Sequence, residues 1–311
     1  MSDLWLWPAF IVLIVVMLAI DLFFFRGEHE VTLKEALIWS LIWTVVGVGF
    51  VGVIYAQEGG TAAGEYLAGY VIERSLSVDN IFVFAIIFNF FGVPAPYQSK
   101  ILLLGVVGAI FFRAVFIGLG AGLLETFSWM TFVFGLFLLF TAFKLLRSSD
   151  MHVDPAGNPA VKLLRRLVPV TPDYRGQSFF VRENGVKMAT PLLAVVITIA
   201  TTDVVFAVDS IPAVFAVTNN TFVVFSSNAM AILGMRILYF LLRDLMDRFI
   251  YLNLGLAVVL GFVGSKMMAE EFYHMPIIIS LVVIAVVLFF SIGASLVVSG
   301  RQQLQPGESA H

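Results

Sequence analysis

Residues 73–81 read Glu-Arg-Ser-Leu-Ser-Val-Asp-Asn-Ile, and residues 203–211 read Asp-Val-Val-Phe-Ala-Val-Asp-Ser-Ile. Each has an acid, five intervening residues, an aspartate, a small amide or hydroxyl, and isoleucine. Both are embedded in apolar sequence. The composition shows how unusual that is: 60% of the 311 residues are hydrophobic and 13% are charged. A soluble domain carries about 45–50% apolar and roughly 25% charged residues. Apolar runs such as Leu4–Phe25 and Ile277–Val298 reach the roughly 20 residues that a helix needs to cross a bilayer. The chain reads as an all-α, polytopic transmembrane helix bundle forming one domain over residues 1–311. A carboxylate in such a span costs roughly 2.5–3.5 kcal/mol on insertion scales, so each needs a reason.

Working outward, apolar runs and loop punctuation give nine segments: 4–25, 33–56, 66–91, 100–122, 129–147, 190–217, 222–242, 250–269 and 276–299. The connection from Ser148 to Lys187 is long. Proline at 191, after Thr190, marks the start of the sixth segment. Orientation follows from the lysines and arginines. With the 148–189 loop cytoplasmic, Arg26, Lys34, Lys100, Arg147, Lys162, Arg165, Arg166, Arg175, Arg182, Lys187, Arg243, Arg248 and Arg301 all lie inside. Glu58, Glu65, Glu125, Glu270 and Glu271 then lie outside. Nine crossings place the N-terminus outside and the C-terminus inside. The first segment lacks a basic n-region and reads as a retained helix. The Lys162–Arg166 cluster reads as an interfacial helix near anionic lipid.

The charges inside the runs are Asp21, Glu73, Asp79, Asp203 and Asp209 against Arg74, Arg113, Lys144, Arg236 and Lys266. One reading pairs every acid with a base and assigns the pairs to packing. Lys144 and Lys266, however, sit near segment ends and can extend to headgroups, which leaves more acid than base at depth. Order is the stronger clue. Acid pair, arginine and lysine recur in segments 3–5 (66–147) and 6–8 (190–269). Three crossings is an odd number, so the second unit enters the membrane inverted. That architecture is typical of alternating-access transporters, with the site at the repeat interface.

Residues six apart on a straight helix differ by about 240° and roughly 9 Å in height. Glu73 and Asp79 therefore cannot chelate one ion, nor can Asp203 and Asp209. An inverted two-fold axis can instead bring Asp79 opposite Asp209, with Asn80 and Ser210 alongside. Pro212 frees the carbonyl of Val208 beside them. Glu73 and Asp203 then serve as access acids or proton carriers. Asp21 either joins this site or anchors its own helix end with Arg26. Arg113 and Arg236 are charge-balancing: a guanidinium keeps its charge and repels a cation.

This donor set is hard oxygen, suited to manganese, magnesium or calcium. Cysteine is absent, and His29, His152, His274 and His311 all lie in polar flanks. Thiolate chemistry is thereby excluded and zinc or copper disfavoured. No tightly bound cofactor is expected, and manganese(II) would be cargo. The net charge of −3 argues against nucleic acid as a partner; the expected partners are the bilayer and a divalent metal ion.

At this level the sequence resembles a known family. Tyr70-Val-Ile-Glu-Arg-Ser-Leu-Ser-Val-Asp-Asn-Ile-Phe-Val-Phe84 and Thr202-Asp-Val-Val-Phe-Ala-Val-Asp-Ser-Ile-Pro-Ala-Val-Phe-Ala-Val-Thr218 are similar to the signatures of the TerC/Alx family, in its Alx-like branch. The likeness runs from Ala19-Ile20-Asp21-Leu22 to Phe272-Tyr273-His274-Met275-Pro276, and includes Phe179-Phe-Val-Arg-Glu-Asn-Gly185. The resemblance implies a bacterial inner-membrane protein of the LysE-type cation-exporter superfamily. Family members are linked to manganese efflux, alkaline-pH response and tellurium resistance. The implied site residues are Glu73, Asp79, Asn80, Asp203, Asp209 and Ser210. Relatives often carry a glutamate where this chain has Ala200, so this site holds one negative charge fewer.

The expected function is export of divalent manganese. The alternative is a tellurium-resistance or stress-response membrane scaffold acting through partner proteins, although an acid-lined site repels an oxyanion. An intramembrane enzyme is disfavoured, because no nucleophile–base pair appears.

Overall fold

Gly59 has φ 88° and ψ −177°, and this one residue folds α2 (Leu33–Phe90) into a helical hairpin. The hydroxyl of Tyr66 donates to the carbonyl of Gly47 (2.8 Å), and the Phe50 and Tyr66 rings lie 5.6 Å apart. Residues 33–58 and 60–90 therefore run side by side in opposite directions. A capping box starts the hairpin: Thr32 accepts from the amide of Glu35, whose carboxylate accepts from the amide of Thr32. The computed structural model describes residues 5–24, 32–127, 129–147, 158–183, 185–242, 251–269 and 275–303.

The other elements are α1 (Leu6–Phe24), α3 (Ala95–Thr126), α4 (Met130–Arg147), α5 (Pro159–Leu167), β1 (Phe180–Glu183), β2 (Val186–Ala189), α6 (Pro191–Phe215), α7 (Thr221–Leu233), α8 (Met235–Leu242), α9 (Leu252–Ala269) and α10 (Ile277–Gln303). Within the described residues the nine apolar runs coincide with helix, apart from some run ends and the break at Gly234. Six described helices are long and apolar enough to cross a membrane, or seven with α7 and α8 joined; α2 counts once there although it folds back. Their outer faces carry the apolar side chains a bilayer requires, such as Val12, Leu41, Phe111, Leu136 and Phe289.

Small residues set the helix contacts, as expected where lipid supplies no hydrophobic drive between helices. A Cβ at Gly105 would meet Ile199 at 3.0 Å, and one at Gly120 would meet Phe215 at 2.9 Å, so α3 and α6 run parallel. A Cβ at Gly69 would meet Ser227 at 2.8 Å, while Arg74 reaches the Ala231 carbonyl, so the 60–90 arm runs parallel to α7. Antiparallel α4 and α9 meet where a Cβ on Gly264 would lie 3.0 Å from the carbonyl of Gly135. That neighbour is backbone and cannot rotate away. Gly264→Ala should therefore destabilise the bundle by about 1–3 kcal/mol, the usual cost of overpacking, seen as an earlier thermal transition in detergent.

Helix α1 lies along α7 and α8. Its Trp7 and Phe10 pack on Phe222 and Phe225 at centroid distances of 5.3–5.9 Å. The seventh run is not one straight span. Helices α7 and α8 meet at Gly234 with a 42° bend. A Cβ there would sit 2.9 Å from the Arg74 guanidinium and 3.1 Å from Trp43. Arg74 donates to the carbonyl of Ala231 (2.8 Å), taking an acceptor next to the break.

The long loop is partly structured. Asn158 caps α5 by accepting from the amides of Ala160 and Val161, and its side-chain nitrogen donates to Thr201 of α6 (2.8 Å). Val161 is buried while Leu163 and Leu167 are exposed beside Arg165 and Arg166. Strands β1 and β2 form an antiparallel hairpin that the all-α reading did not contain, with Gly185 at φ 81°. Thr190 stands at the N-cap of α6, but its hydroxyl instead donates to the carbonyl of Ser178. Tyr174 donates to the carbonyl of Phe91, and burial pushes its hydroxyl up to about 12, so it stays a donor.

Candidate functional site

Four helices bring polar side chains together near their midpoints. Glu73 comes from the 60–90 arm, Arg113 from α3, Asp203 and Ser210 from α6, and Asn228 from α7. Arg113 is the hub. Its Nη1 makes an ion pair with Glu73 Oε1, and donates to Ser210 Oγ (3.1 Å) and Asn228 Oδ1 (2.8 Å). Its Nη2 lies 4.0 Å from Asp203 Oδ1. Arg113, Glu73 and Asp203 are 1%, 0% and 1% exposed, so water does not screen them.

Satisfaction is incomplete. Both oxygens of Asp203 and Glu73 Oε2 have no hydrogen-bond partner among the described residues, nor do Nε and Nη2 of Arg113. At 4 Å, opposite unit charges attract by about 4 kcal/mol at an effective dielectric of 20. Burying each ion costs several kcal/mol, so one guanidinium only roughly offsets two carboxylates. A further cationic charge would be welcome here. Among the described residues no three carboxylates or imidazoles converge as a metal cage.

The two acid motifs lie on antiparallel helices. Thr218 donates to Glu65, a Cβ on Gly69 would meet Val214 at 3.0 Å, and Glu73 and Ser210 share one guanidinium nitrogen. Each step is one turn up one helix and one turn down the other. Continuing this register puts Asp79 level with Val204, beside Asp203, and Asp209 level with Arg74, beside Glu73. Direct opposition of Asp79 and Asp209 is not what this register gives: they are offset by five residues, about 7.5 Å of rise. The side chains of Asp79 and Asp209 fall outside the described residues, although both backbones are helical. Asn80 is buried, and Pro212 sits inside α6, without an amide to donate to Val208.

Asp21 lies elsewhere. Its carboxylate pairs with Arg236 Nε (3.0 Å), and Arg236 also donates to its carbonyl (2.8 Å), joining α1 to α8. Arg236 is thus paired with Asp21; Arg26 lies outside the described residues. Lys144 and Lys266 occupy the last turns of α4 and α9. At another level, the side chain of Asn220 donates to Glu58 where α7 begins.

Asn228 lies outside both acid motifs, in a segment whose one deep charge is Arg236. The polar triplet Ser226-Ser227-Asn228 inside an apolar run was the available signal. Its carboxamide is engaged at both ends, accepting from Arg113 and donating to the carbonyl of Val224.

Comparison with known proteins gives a consistent picture. The profile described as "Integral membrane protein TerC family" matches residues 58–303. A Myxococcus xanthus protein, "Uncharacterized membrane protein STKORF319", is 44% identical over 94% of this chain and 92% of its own length. "Putative membrane-bound redox modulator Alx" of Shigella flexneri is 42% identical over 97% of this chain and 98% of its own. The protein of the same name from Escherichia coli K12 is 42% identical over 97% of each chain. No solved structure matches this chain.

Proposed function

The chain belongs to the TerC family of integral membrane proteins, and from that membership we propose that it exports a divalent cation, manganese foremost, from the cytoplasm. The observation that carries this reading is Asp203: a carboxylate buried at mid-helix, lacking a hydrogen bond among the described residues, beside a second acid and one shared arginine. A purely packing role would favour complete pairing, since an unsatisfied buried carboxylate is costly. A path lined by unsatisfied oxygen ligands fits a hard cation that comes and goes. Arg113 links Glu73 and Asp203, Asp79 and Asp209 supply further negative charge, and Asn80 and Ser210 add neutral oxygens.

Residues 66–147 and 190–269 act as inverted repeats in this account. The 60–90 arm pairs in parallel with α7, and α3 with α6; a two-fold axis in the membrane plane exchanges those two contacts. The protein sits in a bacterial inner membrane with the 148–189 loop and C-terminus cytoplasmic, as its lysines and arginines favour.

The relatives' printed name favours a second reading, in redox control. With no cysteine, this chain has no thiol route to that role. A protein that sets the level of a redox-active metal would influence redox state without a redox group of its own. A scaffold for tellurium resistance or stress is the remaining alternative. Cells lacking their other manganese exporters, expressing this chain and challenged with excess manganese, separate these readings. Lower cellular manganese by mass spectrometry is expected; unchanged manganese with restored tellurite or oxidant tolerance would favour the scaffold.

A further inference from the structure

We propose that the Arg113 guanidinium is a built-in surrogate for the transported cation, and that the oxygens it occupies, including Asn228 Oδ1, form a cation subsite when it withdraws. The inference rests on the cation-transport reading. One nitrogen, Nη1, is surrounded by Glu73 Oε1, Ser210 Oγ and Asn228 Oδ1, drawn from three helices. These are a carboxylate, a hydroxyl and an amide carbonyl, the oxygen types that bind manganese, magnesium or calcium. Asp203 stands 4.0 Å from Nη2 with neither oxygen hydrogen-bonded among the described residues. It is a fourth oxygen donor without a settled partner.

A guanidinium is permanently charged and cannot share this space with a metal ion. Arrival of the cargo must therefore displace Arg113 from Glu73, and departure of the cargo lets it return. In the empty protein the arginine compensates Glu73, and on its return it helps to expel the ion. Asn228 and Ser210 have two duties here: they anchor the arginine when the site is empty and contact the cargo when it is full. The competition lowers affinity for the cation, which suits a carrier that must release what it binds.

The test uses the purified full-length protein in detergent, with manganese(II) as the probe and the electron paramagnetic resonance signal of free aqueous manganese as the readout. Arg113→Gln should bind at least about ten-fold more tightly than the unmodified protein. In proteoliposomes the same variant should export more slowly. Arg113→Lys keeps the charge but reaches fewer oxygens, so its affinity should lie between the two. Adding Asn228→Ala to Arg113→Gln should weaken binding again by about ten-fold. An Arg113→Gln protein that binds manganese no more tightly, or one indifferent to Asn228→Ala, overturns the proposal. If Arg113→Gln does not accumulate, unchanged affinity in Arg113→Lys overturns it. Manganese transport by the unmodified protein alongside either negative result removes the surrogate alone. Absence of transport by the unmodified protein, with no binding in any variant, removes the transport reading too.

Discussion

Replacing Asp209 or Asp79 by asparagine should abolish manganese export while the protein stays in the membrane. The expected fall is at least about 100-fold, or about 2.7 kcal/mol of lost stabilisation of the moving ion. Asparagine keeps the shape and an oxygen but removes the negative charge. A divalent ion partly stripped of water needs that charge, and the low dielectric makes its loss expensive. Arg113 already claims much of the charge on Glu73 and Asp203, so the motif aspartates must supply the rest. Asp203→Asn should be milder, because Arg113 already balances part of the charge on Asp203. The measurement is manganese tolerance of exporter-deficient cells, with membrane abundance quantified in parallel. Full protection by Asp209→Asn at normal abundance would return these charges to a packing role.

The second large effect concerns stability. Asp21→Asn removes the buried carboxylate that pairs with Arg236 between α1 and α8. Removing one partner of a buried pair typically costs about 3–5 kcal/mol. The variant should melt early in detergent and be poorly recovered from membranes. Replacing both members by apolar residues, as in Asp21→Leu with Arg236→Met, should recover much of that loss, because neither ion is then buried. The double variant should also still export manganese, since the pair's described role is to join α1 to α8. If it folds well but transports nothing, Asp21 belongs to the site after all.

How much of this was legible beforehand depends on range. The spans were readable because lipid demands long apolar runs, and each run is mainly helical among the described residues. The reversal at Gly59 was suggested by Gln57-Glu58-Gly59-Gly60. The break at Gly234 was not, because a glycine in an apolar run looks the same whether the helix bends or continues. Its cause is tertiary, the approach of Arg74 and Trp43. The β-hairpin had a local signal, since Asn184-Gly185 is the dipeptide that two-residue hairpin turns prefer. In the sequence Phe179–Gly185 stood out only for its family resemblance, and two four-residue strands are too short to show a pattern.

At the site, sequence spacing sets the backbones of Glu73 and Asp79 roughly 9 Å apart along one helix, because helical rise is fixed. Spacing cannot supply the register between two helices, which is set by close contacts such as Gly69 with Val214. The two arginines looked equivalent in order along the chain. They differ because α1, which has no counterpart among the repeated segments, brings Asp21 to Arg236, whereas Arg113 meets Glu73.

The most direct test loads everted membrane vesicles, or proteoliposomes holding the purified protein, with manganese(II) outside and follows its uptake. Time-dependent uptake that requires the protein, and that vanishes in Asp209→Asn at equal abundance, is the predicted result. Uptake no greater than that of empty vesicles, or equal uptake by the unmodified and Asp209→Asn proteins, would contradict it.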